Sequence, residues 1–134
     1  MSGQISLEGF AVLVLEDDYY LADDAKRLLE KAGARVIGPF SRTEAALAAV
    51  AQQRPSCALV DINLGGGASF TTAEALRSGG VPIIFVTGYD ARAIPSDFRG
   101  IPHVEKPVEP RKLLQAVSVA CRAPGCPPAP GYDS

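Results

Sequence analysis

Continuous apolar runs alternate with amphipathic stretches along the chain, and the two differ in period. Phe10 to Leu15 is apolar throughout and short enough for a buried strand. From Tyr20 to Ala32, apolar residues fall at Leu21, Ala25, Leu28, Leu29 and Ala32, the spacing of one helical face. Gly33 supplies the C-terminal stop. Arg35 to Gly38 predicts a short second strand. Ser41-Arg42-Thr43-Glu44 reads as a capping box, in which Ser and Glu satisfy each other's free backbone donors. The helix it opens turns Leu47, Val50 and Ala51 inward and ends near Pro55. Cys57 to Val60 predicts a third strand, with Asp61 directly after it. Gly65 to Gly67 is a loop, and Thr71-Thr72-Ala73-Glu74 reads as a second capping box, opening a helix that stops at Gly79-Gly80. Val81 to Val86 is the fourth strand, with Pro82 tolerated near its start. Asp90 to Arg99 should hold a fourth helix, short or irregular because Pro95 cuts it. Ile101 to Glu105 is the fifth strand. Pro110 suits the first turn of a last helix, whose stripe is Leu113, Leu114, Val117, Ala120 and Cys121 and which Pro124 ends.

Five such βα units imply an α/β fold, a parallel sheet with helices on both faces. Right-handed crossovers leave few topologies, and the flavodoxin-like (βα)5 doubly wound sheet with strand order 2-1-3-4-5 is the expectation. The expected division is one domain over residues 1–122 and a tail over 123–134, where Pro127, Pro128 and Pro130 favour extended or disordered chain.

Composition narrows the function classes. With 134 residues, 47% hydrophobic and 21% charged, the chain can hold a core of its own and is not a wholly disordered polymer. The longest apolar run, Ala45 to Ala51, is seven residues, against about 20 for a membrane helix. No secretory pattern opens the chain, so a cytoplasmic protein off the membrane is expected. Thirteen basic and 15 acidic residues, with no Lys/Arg block, give no footprint for nucleic acid. Cys57, Cys121 and Cys126 do not read as a disulfide framework. With His103 the only histidine, they also fall short of a zinc site. Reduced, incidental thiols are the expectation.

Ligands of open parallel sheets bind at the carboxyl ends of the strands. There the predicted strands deliver Glu16-Asp17-Asp18, then Asp61 with Asn63 two residues on, then Thr87, then Glu105-Lys106-Pro107. Each residue alone has a plainer role. Asp17 and Asp18 can cap the first helix, Asp61 can be a loop acid, Thr87-Gly88 a turn and Lys106 a surface lysine. Together they make a chemical set. Gathered carboxylates raise each other's pKa unless a cation intervenes, and an oxygen-only set suits Mg²⁺. A lysine and a hydroxyl suit phosphoryl oxygens, and a central carboxylate can attack phosphorus.

The set Glu16-Asp17, Asp61, Thr87 and Lys106-Pro107 resembles the receiver domain of bacterial two-component response regulators, over roughly Phe10 to Cys121. The resemblance implies that Asp61 is the phosphoacceptor. It implies that Glu16, Asp17, Asp61 and the Asn63 carbonyl hold Mg²⁺, and that Thr87 and Lys106 contact the phosphoryl oxygens. It also implies a cis bond between Lys106 and Pro107. Pro82 to Tyr89 reads Pro-Ile-Ile-Phe-Val-Thr-Gly-Tyr, which is similar to the Pro-Phe-x-Phe-Ala-Thr-Gly-Tyr pattern of the "FAT GUY" receivers of alphaproteobacteria. Asp61-Ile62-Asn63-Leu64-Gly65-Gly66 is similar to the same group. Tyr89 and His103 fall on the switch and partner surface. His103 stands where receivers commonly have a rotating Tyr or Phe.

The implied function is a stand-alone receiver, not an enzyme. It would accept a phosphoryl group from a sensor histidine kinase or a histidine phosphotransfer protein. It would then bind a downstream protein or act as a phosphate shuttle or sink. The rival is an aspartate-nucleophile phosphohydrolase, which shares the carboxylates, Thr, Lys and Mg²⁺. Such enzymes carry Asp-x-Asp after strand one, where this chain reads Glu16-Asp17-Asp18-Tyr19. An interaction module that is never phosphorylated is the third reading.

Overall fold

The structure, a computed structural model, describes residues 5–62, 68–88 and 94–122. The strands are β1 (Ala11–Leu15), β2 (Arg35–Phe40), β3 (Cys57–Asp61), β4 (Ile83–Thr87) and β5 (His103–Glu105). The helices are α1 (Tyr19–Lys31), α2 (Thr43–Gln52), α3 (Ala68–Ser78) and α4 (Pro110–Arg122), with a 3-10 turn at Ser96–Phe98. The sheet is wholly parallel in the order β2-β1-β3-β4-β5, as the alternation of elements predicts.

The unbroken apolar strands follow from burial on both faces. Every residue of β1, β3 and β4 is buried. Alternation then sends their side chains to opposite layers. Leu13, Leu15, Ala58, Val60, Ile83 and Phe85 join one core layer, where Ala46 of α2 and Ala73 and Leu76 of α3 pack. Val12, Val14, Leu59, Ile84 and Val86 join the other, with Leu29 of α1 and Leu113 and Val117 of α4.

Both capping boxes fail, for a tertiary reason. α2 starts at Thr43 with Arg42 as its N-cap, and no side chain bonds the free amides there. Strand β2 runs on to Phe40, two residues past the expected end, so Ser41 is an exposed residue of the connecting turn. Helix α3 starts at Ala68, ahead of Thr71. Thr72 is therefore inside the helix, fully buried, and its hydroxyl hydrogen-bonds that of Thr43 at 2.7 Å. That bond ties α2 to α3.

Of the expected fourth helix, Asp90 to Arg99, only residues 94–99 are described, and after Pro95 they form a 3-10 turn. Residues 89–93 lie outside the description. Arg77 holds the turn to α3. Its guanidinium sits 4.5 Å from the Phe98 ring centre and donates to the Asp97 carbonyl at 2.9 Å. Strand β5 begins at His103, two residues later than expected, because Ile101 is taken up by the preceding turn through its N–H to Phe98 O. The expected tail, residues 123–134, lies outside the described residues.

Two glycines have positive φ where a turn or close approach needs it. Gly33, at +104°, follows the last turn of α1 and donates to the Glu30 carbonyl. Gly38, at +103°, sits where β2 shifts register against β1. A Cβ there would lie 2.8 Å from the Phe40 amide nitrogen and 3.1 Å from the Val14 carbonyl oxygen. Gly38→Ala should therefore lower stability by about 1–3 kcal/mol, from backbone strain and contact together. Urea denaturation checks this; an unchanged midpoint would mean that β2 can shift to make room.

Candidate functional site

Four strand ends on adjacent strands build the site. Glu16 follows β1, Asp61 ends β3, Thr87 ends β4 and Lys106 follows β5. Parallel pairing places Leu15 beside Val60 and Asp61 beside Val86, so these ends share one edge of the sheet. Glu16, Asp61 and Thr87 are buried, with Asp61 only 1% exposed. Lys106 Nζ reaches Asp61 Oδ1 at 3.4 Å and Glu16 Oε1 at 3.6 Å. Its backbone N–H donates to the Thr87 carbonyl at 2.7 Å, which anchors the lysine stem. The bond from Lys106 to Pro107 is cis, and so is that from Gly38 to Pro39.

The acidic run after β1 divides its labour. Asp18 caps α1, with Oδ1 accepting from the amides of Tyr20 and Leu21 at 2.9 and 3.1 Å. The Asp18 amide in turn donates to Glu16 Oε2 at 3.0 Å and fixes that carboxylate. Asp17 is exposed. Ligand oxygens of Glu16, Asp17 and Asp61 all lie within 4.8 Å of one another.

Burial pushes the Glu16 carboxyl up from 4.5 to about 7, and its hydrogen bond with Asp61 and the charge there push the same way. The Asp18 amide and the Lys106 ammonium pull it down. One lysine thus does not neutralise the buried acids. An oxygen-only donor set short of positive charge fits a hard divalent cation.

A stability consequence follows for the metal-free chain. A carboxyl whose folded-state pKa is raised holds an extra proton in the folded state between the two values. Its contribution is fully favourable below pH 4.5 and is lost as pH rises to about 7. The expected loss is about 1–3 kcal/mol relative to Glu16→Gln, which cannot titrate. Denaturant titrations with a chelator at several pH values check this. Parallel curves for the two proteins would remove Glu16 as the titrating group.

His103 stands apart from the acidic set. It is exposed on β5, as is Glu105, while Val104 between them is buried, and it borders a polar groove with Glu109 and Lys112. Asn63 and Tyr89 lie outside the described residues. Sequence reasoning missed an apolar groove of about 500 Å³ beside the site, between α1 and α4. Leu21, Ala25 and Leu28 of α1 face it, opposite Pro107, Val108 and Leu113. The α1 stripe was the available signal, but periodicity does not show that the facing helix leaves these residues half covered.

The fold and site together define a doubly wound α/β protein with a lysine-flanked carboxylate centre at its strand ends. Residues 12–118 match the family model of the response regulator receiver domain, and the chain belongs to that family of two-component systems. It is 35% identical over 114 residues to the phyllosphere-induced regulator PhyR of Methylorubrum extorquens, covering 81% of this chain and 42% of that one. The chain spans less than half the length of such curated relatives. Among solved structures it is similar to the BeF3-activated conformation of SdrG from Pseudomonas melonis. The TM-score is 0.73 at 31% identity, covering 84% of this chain and 99% of that one. It is also similar to the anti-anti-sigma factor PhyR of Bartonella quintana, with TM-score 0.72 and 27% identity over 88% of this chain and 49% of that one. No helix among the described residues is long and apolar enough to cross a membrane.

Proposed function

We propose that Asp61 is the phosphoacceptor of this receiver. The observation that supports it most is the placement of its carboxylate, buried at the sheet edge between Glu16 and the Lys106 ammonium. A sensor histidine kinase, or a histidine phosphotransfer protein, would present a phosphohistidine. The new bond joins an Asp61 oxygen to phosphorus while the P–N bond breaks, and the donor imidazole keeps the electron pair. Lys106 moves its hydrogen bond from the carboxylate to a phosphoryl oxygen, and the Thr87 hydroxyl donates to another. Glu16, Asp17, Asp61 and the Asn63 carbonyl would hold Mg²⁺, which when bound neutralises charge on the acids and the phosphoryl group. The apolar groove between α1 and α4 gives a helix of the donor protein a surface next to Lys106.

The output is protein binding or onward transfer of phosphate in the cytoplasm, without nucleic acid or membrane. The likeness to PhyR, described as an anti-anti-sigma factor, supports a downstream protein partner. Exposed His103, with Tyr89, belongs to the switch and partner surface in this reading. The test pairs two substrates. Acetyl phosphate with Mg²⁺ should add one labile phosphoryl group per chain, read by intact mass, while a generic phosphomonoester should not be turned over. Repeated turnover of the phosphomonoester would make the protein an aspartate-nucleophile phosphohydrolase instead.

A further inference from the structure

Two of the cysteines, far apart in sequence, meet in the core. Cys57 opens β3, and Cys121 is the penultimate residue of α4. Both belong to the layer between the sheet and α1/α4, shared with Leu7, Val12, Leu59 and Val117, and they are 0% and 6% exposed. Their side chains hydrogen-bond to one another. A buried thiol usually serves as a small apolar filler. Filling this space does not call for two sulfur atoms in contact across a strand and a helix.

We propose that Cys57 and Cys121 are a redox pair that closes a reversible disulfide between β3 and α4 on exposure to a peroxide. The proposal is independent of the role given to Asp61. Cys121 is the attacking sulfur, because it is the more exposed of the two. The hydrogen bond from Cys57 lowers its pKa, and the charge of Arg122 acts in the same direction against burial. In the first step the Cys121 thiolate attacks one peroxide oxygen; an S–O bond forms, the O–O bond breaks, and hydroxide leaves to become water. In the second step the Cys57 sulfur attacks Cys121; the S–S bond forms, the S–O bond breaks, and water leaves with the Cys57 proton. Two thiols are oxidised by two electrons, and one peroxide is reduced to two waters. The bond fastens the end of α4 to the strand whose other end carries Asp61.

Cys126→Ser leaves both core thiols in place and removes the competing sulfur. This chain, folded and treated with one equivalent of hydrogen peroxide, should lose about 2 Da and retain no alkylatable thiol after denaturation. Peptide mapping should join Cys57 to Cys121, dithiothreitol should restore both thiols, and the thermal midpoint should rise by ~5 °C or more in the oxidised form. Oxygen addition without a link, disulfide dimers, or two unreacted thiols would each overturn the proposal. So would a Cys121–Cys126 link as the main product of the unaltered chain.

Discussion

Asp61→Asn should fold normally and lose phosphorylation by acetyl phosphate by at least ~10⁴-fold, because it removes the proposed nucleophile. The amide matches the carboxylate in shape, so packing at this buried position is kept. Its neutral oxygen is a poor nucleophile, and no neighbouring acid can replace it at the sheet edge. Glu16 is held above the ordinary carboxylate range by burial, and Asp17 is exposed. The substitution also removes a charge that faces Glu16, so the variant should be no less stable than the parent. A chelator should reduce phosphorylation of the parent in the same assay, since the uncompensated acids repel an incoming phosphate. Intact-mass analysis reads both effects. A labile phosphoryl group retained by Asp61→Asn would move the phosphoacceptor to another residue.

Phe85→Ala should have the largest effect on stability, about 3–5 kcal/mol. Phe85 is fully buried in the middle of β4. Its ring packs edge-on against Phe70 of α3 and Phe98 of the 3-10 turn, with centroids 5.7 and 5.9 Å away. Truncation leaves a cavity against two rings that cannot both collapse into it. A loss of that size is a large part of the ~5–15 kcal/mol that keeps a domain folded. It should also loosen the 3-10 turn, whose Phe98 ring would keep Arg77 on one face but lose its partner on β4. Phe85→Leu, which refills most of the volume, should cost about 1–2 kcal/mol. Urea unfolding of the two variants is the measurement. Equal losses would show that ring contact, not cavity volume, sets the energy.

Chain order and side-chain chemistry determined much of this protein. Runs such as Phe10 to Leu15 and Val81 to Val86 carry no polar face, so each had to be a strand covered on both sides. The helical stripes between them supply that cover, and handedness of the crossovers then leaves the observed sheet order. Since ligands gather at the carboxyl ends of such strands, Glu16, Asp61, Thr87 and Lys106 were legible as a set before any coordinate was known. Local signals misled where they compete with long-range contacts. Ser41 and Thr71 carry a capping pattern. Strand β2 runs on to Phe40 and leaves Ser41 in the turn, and α3 begins at Ala68, so that Thr71 and Thr72 lie inside it and Thr72 pairs with Thr43 instead.

Tertiary structure alone decided which of three consecutive acids does what. Asp18 went to the helix cap, Asp17 to the surface, and Glu16 into a buried place where its proton is held to about pH 7. It also brought Cys57 to Cys121 and left a groove between α1 and α4. The physical reason is common to all of these. Periodicity reports a residue's face, but hydrogen-bond partners, desolvation and close contact depend on groups tens of residues away in the chain. Those become neighbours only when the layers close.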